Sequence, residues 1–395
     1  MVTAPERGLR RLVAVCCLVL IADLALVQVL VPLLPYYADK LGFGPAESGR
    51  LVAAFAVGSL VAAIPAGMLC SRIGVKATVV VGLLLMAGAS VAFGVAGSTL
   101  GLQAARFGQG VANSLAWTGA IAWIAGAAPA GRRGRVLGIV FGVAVAGTFI
   151  GPGLGVLAAR HGTKEVFAAV AAALLVLAAV AALLPGVPAA RQSVRAMLAV
   201  LRHRALAFGI WLFLLPAFLL GAQTSVAPLE LNELGWSVAG IGVVYLCTAG
   251  VQAVGSPLLG RWLDRTSRAT PVAAALAAAV VLTCLLALPW TRQYWLFAAL
   301  VAAANVAFVT LYLPGAAIVA DGAEAVGLDH AFGFSLANLA WAPGTIAGSV
   351  IGGELAEGAG ESATYVMLAA VCLATLIVVR RFAFRPAAAQ SSASA

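Results

Sequence analysis

Charge is what this chain has least of. Lysine, arginine, aspartate and glutamate together make up 10% of 395 residues, and only 14 of them are acidic. Soluble domains carry about 25% charged residues, so the polar surface a water-soluble protein of this size needs is missing. The three histidines, His161, His203 and His330, lie in loops. The six cysteines, Cys16, Cys17, Cys70, Cys247, Cys284 and Cys372, lack the spacing of metal ligands and are too sparse for a disulfide framework. No glycine-rich phosphate loop ending in Lys-Ser or Lys-Thr occurs, which argues against ATP as an energy source. Neither a cofactor nor a metal site is expected, and no His, Asp, Glu or Cys cluster suggests an enzyme.

What is present is apolar. Hydrophobic residues are 63% of the chain, which also excludes disorder. Twelve windows have the length and composition of a membrane helix: 11–35, 48–70, 77–97, 100–128, 136–159, 165–185, 205–228, 238–259, 270–289, 294–320, 331–353 and 363–380. The first is too long for a signal peptide and carries Asp23 in its middle, so it is read as a retained helix. Stretches such as 168–184 are apolar on every face, which favours helices over a membrane barrel.

With the N-terminus in the cytoplasm, the inner segments hold eighteen basic residues and the outer ones five, Lys40, Arg50, Arg160, Lys164 and Arg292. This positive-inside asymmetry predicts a multi-pass protein of the cell (plasma or inner) membrane with both termini cytoplasmic. It also accounts for the +10 net charge without a nucleic-acid partner.

The longest inner connection bisects the spans. The expected organisation is an N-terminal six-helix half over 1–185, a cytoplasmic linker over 186–204, a C-terminal six-helix half over 205–380 and a cytoplasmic tail over 381–395. Basic and apolar residues alternate in the linker, which suggests a short helix on the membrane surface. The halves echo one another. Gly67–Gly74 corresponds to Gly260–Ser267 at an offset of 193, Gly147, Gly151 and Gly155 to Gly344, Gly348 and Gly352 at 197, and Pro32 to Pro228 at 196. The fold class expected is therefore all-α and integral to the membrane, twelve transmembrane helices in two six-helix halves.

Tandem six-helix repeats are how alternating-access transporters are built, and the motifs agree. The segment from Gly67 to Lys76, with Arg72 and Gly74, resembles the loop signature G-x-L-x-D-R-x-G-R-K of the major facilitator superfamily. A second copy carries Asp264 and Arg265. Arg106-Phe-Gly-Gln109-Gly110 resembles the R-x-x-Q-G signature, and Gly142 to Gly155, including Gly151 and Pro152, resembles the fifth-helix motif of the drug:proton antiporter branch. The run from Asp23 to Pro35 is similar to helix 1 of the vesicular amine transporter group. Two departures stand out. Ser71 occupies the loop signature's acidic position, and Thr310 and Asn338 stand where vesicular amine transporters carry acids.

An ionisable side chain at membrane depth is costly and marks a functional site. Two lie well inside the windows, Asp23 and Arg106. A buried carboxyl beside a fixed positive charge can exchange a proton for a cationic substrate, with Gln109, one turn from Arg106, orienting the guanidinium. Proton coupling is thus expected of Asp23, Arg106 and Gln109. Substrate contact is expected of Asp23, Gln223, Asn305, Asn338 and Trp341, whose ring can face a cation, with Tyr245 and Tyr312 as further candidates. Gating is expected of Gly67, Arg72, Gly74, Gly151, Pro152, Asp264 and Arg265. Pro152 is expected to bend the fifth span, and its glycines to seat it on the eighth.

The function expected is proton-coupled export of small amphipathic or cationic compounds, with protons, a small-molecule substrate and the bilayer as partners and the monomer as the working unit. The alternatives are an importer or facilitator of a small nutrient, and a transporter-like membrane sensor.

Overall fold

The computed structural model describes residues 4–129, 132–187, 204–265, 269–288, 293–312, 314–315 and 330–383, and the side chains of most of these. Those residues contain no strand and form fourteen helices. The first eight are α1 (Ala4–Gln28), α2 (Leu30–Leu41), α3 (Pro45–Ile73), α4 (Val75–Val95), α5 (Thr99–Ala127), α6 (Arg133–Ala144), α7 (Ala146–His161) and α8 (Thr163–Leu183). The remaining six are α9 (Arg204–Glu233), α10 (Val238–Arg265), α11 (Ala269–Leu286), α12 (Tyr294–Thr310), α13 (His330–Ala359) and α14 (Glu361–Ala383). Eight stretches of the described residues are long and apolar enough to cross a membrane.

Two of the expected spans, the first and the fifth, are each divided between two of these helices. The first parts into α1 and α2 at Val29, three residues before Pro32. Proline has no N–H, so the carbonyl four residues earlier, that of Gln28, loses its helical donor at the break. The fifth parts into α6 and α7 at Val145, and Pro152 sits inside α7. At Val145 the amide and hydroxyl of Thr148 both turn onto the Val145 carbonyl, at 2.9 and 2.7 Å. This back-bonding competes with the regular ladder. Turns between spans are short: Pro45 opens α3 at its first turn, Ser98 caps α5 through the Gly101 amide, and Gly74, at φ +90, links α3 to α4.

The buried apolar residues form two clusters. One runs from Leu12 to Ala181 with Leu229 added, the other from Leu212 to Val379 with Val31 added. Large side chains such as Val95, Val176 and Leu183 are exposed on the outside, as expected of a bundle whose solvent is lipid.

Glycines set the closest helix approaches. A Cβ on Gly147, Gly151 or Gly155 of α7 would press on the backbone oxygen of Ile21, Ala25 or Val29. The fifth-span motif therefore seats on the first span, not on the eighth as its spacing suggested. The eighth span, α10, meets another face of α7, where Gly242 lies against Val156 and Pro152 and Gly250 against Phe149. Gly58 and Gly110 bring α3 and α5 together in the same way, against Phe107 and Phe55. In the second cluster, Gly344 and Gly348 lie on Leu214 and Phe218 of α9. Such small-residue seams are how membrane helices pack without a hydrophobic drive between them.

A contrast within α7 tests this. Gly151→Leu, whose Cβ would meet Ala25 O at 2.6 Å, is expected to lower stability by about 1–3 kcal/mol through overpacking. Gly153→Leu has nothing within 4 Å and should fold as well as the parent. Thermal unfolding of the two purified variants checks it, and equal losses count against the seam.

Candidate functional site

Asp23 projects from α1, five residues before its end at Gln28, and is 1% exposed. Its Oδ2 accepts a hydrogen bond from Asn113 Nδ2 of α5 at 2.6 Å, and its Oδ1 is buried with no hydrogen-bond partner. Asn113 Oδ1 in turn accepts from Ser59 Oγ of α3 at 2.6 Å. Three helices therefore meet at one carboxyl group.

Arg106, 2% exposed, lies two turns from Asn113 on the same face of α5. Its Nη1 donates to the Leu26 carbonyl of α1 at 2.8 Å and to Gln109 Oε1 at 3.0 Å, and Gln109 Nε2 donates to Ser90 Oγ of α4 at 3.3 Å. The guanidinium lies over the Phe55 ring, 4.6 Å from its centroid. Arg106 thus grips the backbone of α1 three residues beyond Asp23, and its charge acts on that carboxylate. Burial at this depth is expensive for either charge. The arrangement offsets it with a cation nearby, an aromatic face and polar neighbours.

The C-terminal cluster carries a neutral counterpart. Gln252 Nε2 of α10 donates to Asn305 Oδ1 of α12 at 2.7 Å, Asn305 Nδ2 to Gln223 Oε1 of α9 at 3.3 Å, and Gln223 Nε2 to the Val301 carbonyl at 2.9 Å. Trp341 of α13 meets Phe55 edge to face at 6.4 Å, so Arg106, Phe55 and Trp341 form one file across the two clusters. The Tyr245 and Tyr312 hydroxyls are buried without partners. The side chain of Asn338 lies outside the described residues, as do those of Asp264 and Arg265 and the linker from 188 to 203.

Sequence reasoning missed five residues. Asn113 was legible as the third member of a polar stripe, 106, 109 and 113, at helical spacing on an apolar helix. Ser59, Phe55 and Gln252 had no comparable signal. Glu230 was placed beyond the seventh window, but α9 runs to Glu233, and Glu230 Oε2 accepts from the buried Tyr365 hydroxyl at 2.9 Å. Asp23 is therefore joined by a second carboxyl within a span.

The clusters touch at one end of the bundle, the closed end. Gly49 lies against the Ser349 carbonyl and Gly353 against that of Pro45. Arg50 of α3 pairs with Glu354 of α13 at 2.5 Å, and the Ala46 amide donates to Glu357 at 3.1 Å. At the opposite end of α3, Gly67 and Arg72 are exposed, and Gly67 and Gly74 have nothing within 4 Å of an added Cβ. Among the described residues, then, nothing packs against Gly67 or Gly74 where a side chain would stand, while Gly151 and Pro152 are buried.

The sequence profile of the Major Facilitator Superfamily matches residues 15–327 and again 206–395. The quinolone resistance protein NorA of Staphylococcus aureus (strain MRSA252) is 27% identical over 129 residues, 33% of each chain. An uncharacterized MFS-type transporter of Methanocaldococcus jannaschii is 31% identical over 137 residues, 34% of this chain and 36% of its own. The chain thus spans about a third of the length of the curated relatives it matches. Among solved structures, the nucleoside transporter NupG superposes with a TM-score of 0.72 at 11% identity, covering 95% of this chain and 99% of that one. At that identity the likeness concerns the fold.

Proposed function

Because the chain belongs to the Major Facilitator Superfamily, we propose that it is a proton-coupled secondary transporter exporting small amphipathic or cationic compounds by alternating access. The observation that carries the reading is the Asp23 carboxyl. It is buried in an apolar bundle, one oxygen is held by Asn113, the other is without a partner, and a fixed guanidinium lies close by. Such a group can hold a proton or a substrate cation on the same oxygen, which is the exchange an antiporter needs. The partial similarity to NorA, named for quinolone resistance, and the fifth-helix and first-helix motifs support a place in the drug:proton branch. The positive-inside count supports an extracellular location for the closed end, with residues 1–185 and 205–380 rocking about the site.

A second reading, import of a small polar nutrient, is favoured by the Gln252, Asn305 and Gln223 chain, whose amides suit a hydrogen-bonding solute. One experiment separates the two. In a host lacking its own pumps, expression is expected to lower accumulation of a lipophilic cationic dye severalfold, and a protonophore should abolish the effect. Proton-driven accumulation of the dye would support import instead. No change in either direction would sink both.

A further inference from the structure

The glycine contacts divide the first eight helices into blocks. α1 and α7 touch backbone to backbone through Gly147, Gly151 and Gly155, and α3 and α5 do so through Gly58 and Gly110. Contacts of this kind hold the helices of a pair close, backbone on backbone, and leave polar side chains between them to set their register. Between the blocks the joint is polar: Asp23 with Asn113, and Arg106 with the Leu26 carbonyl. The block that donates the Asn113 bond also carries the closed end. Ser59, which donates to Asn113, stands nine residues along α3 from Arg50, which holds Glu354 of α13.

We propose that Asn113 and Ser59 are positioning residues that transmit the protonation of Asp23 to α3, and so release the contact between α3 and α13 at the closed end. The proposal rests on the reading of Asp23 as the proton site.

The chemistry follows from the donor inventory. Ionised Asp23 accepts a charge-assisted bond from Asn113, about twice as strong as a neutral one. A proton arriving on the unpartnered Oδ1 makes that bond neutral, and one arriving on Oδ2 makes the oxygen a donor. In the second case the Asn113 amide must turn, presenting its oxygen to Asp23 and its NH2 to Ser59. Ser59 can accept it because its hydroxyl has a second acceptor ready, the Gly110 carbonyl at 3.1 Å. The first route loosens the tie from α1 to α3, and the second reverses it while keeping Asp23 Oδ2, Asn113 and Ser59 paired.

Few other groups act on this carboxyl. From α5, Arg106 supplies the charge, α3 offers Ser59, and α7 turns glycines toward α1. α6 and α8 add Leu137, Val140 and Ala178 to the surrounding core. α2 carries its titratable groups, Tyr36, Tyr37, Asp39 and Lys40, thirteen or more residues away. The closed end has titratable groups of its own, Glu47, Glu354 and Glu357 around Arg50, so a test must separate their response from that of Asp23.

Spin labels on Asp39→Cys and Ala359→Cys, in full-length protein with Cys247 and Cys284 replaced by serine, report the separation of the two clusters at the closed end as pH falls. Acid is expected to raise the open-to-closed ratio about tenfold in the parent, the effect of one charge-assisted bond becoming neutral. Asp23→Asn should lose that response and retain only what the gate carboxylates contribute. Asn113→Leu and Ser59→Ala should lose it equally, while proton release on dye binding, which reports Asp23 itself, persists in Ser59→Ala. If Asn113→Leu does not fold, Ser59→Ala, which leaves the Asp23 bond in place, carries the test. A full acid response in Ser59→Ala overturns the relay and leaves Asp23 as the proton site. A full response in Asp23→Asn overturns the assignment of Asp23.

Discussion

Asp23→Asn is expected to bring proton-driven efflux down to the level seen with a protonophore, at near-normal protein abundance. The amide is isosteric with the carboxyl and can keep a bond to Asn113, so the packing of α1 on α5 survives. What it cannot do is bind and release a proton or neutralise a substrate cation in a medium of low dielectric. The loss should depend on substrate charge. A monocation is drawn to the only described carboxylate at mid-depth in the first cluster, a neutral amphipath binds through apolar walls and Trp341, and an anion meets the carboxylate unfavourably. Parent protein should bind in that order, and Asp23→Asn should level the first two. Binding of matched cationic, neutral and anionic analogues to purified protein decides the matter. An anion that binds parent protein more tightly than its cationic analogue overturns the charge argument, as does wild-type, protonophore-sensitive efflux by Asp23→Asn.

Arg106→Ala should have the largest effect on stability. The substitution removes charge-assisted bonds to the Leu26 carbonyl and Gln109, strips a cation from the Phe55 face and leaves a cavity. It also leaves the Asp23 carboxyl without that nearby charge, and the lost bonds and cavity together are expected to cost about 3–5 kcal/mol. Arg106→Lys keeps the charge but not the planar fork, so an intermediate loss is expected. The coupling is measurable. Adding Asp23→Asn to Arg106→Ala should recover part of the melting temperature, because the stranded charge is gone. Strictly additive losses in that double-mutant cycle would show that the two residues act independently.

Much of this was legible in the chain. Membrane helices declare themselves because every lipid-facing position must be apolar, and Asp23 and Arg106 stood out against that background. Repeat offsets of 193 to 197 residues exposed the two sets of helices before any contact was known. Partnerships were not legible. The glycines of α7 have a spacing that fits any close helix, and only the three-dimensional arrangement assigns them to α1. Asn113 and Ser59 belong to residue types that elsewhere satisfy their own helix backbone, so nothing in their identity linked them to Asp23. Glu230 was misjudged because Pro228 reads as a helix end, whereas α9 continues through it to Glu233.

If Asp23 carries the proposed proton, its single carboxyl also sets how voltage enters. One proton moving inward across a membrane that is negative inside gains about 2.3 kcal/mol per 100 mV. When one proton is exchanged for a monocation, the two charges cross in opposite directions and the electrical work cancels, leaving the pH difference as the sole drive. When the cargo is neutral, the proton's charge crosses uncompensated and the electrical potential adds its full share. Under the proposed one-proton exchange, the same buried oxygen pair would make an electroneutral exchanger of one substrate and an electrogenic pump of another.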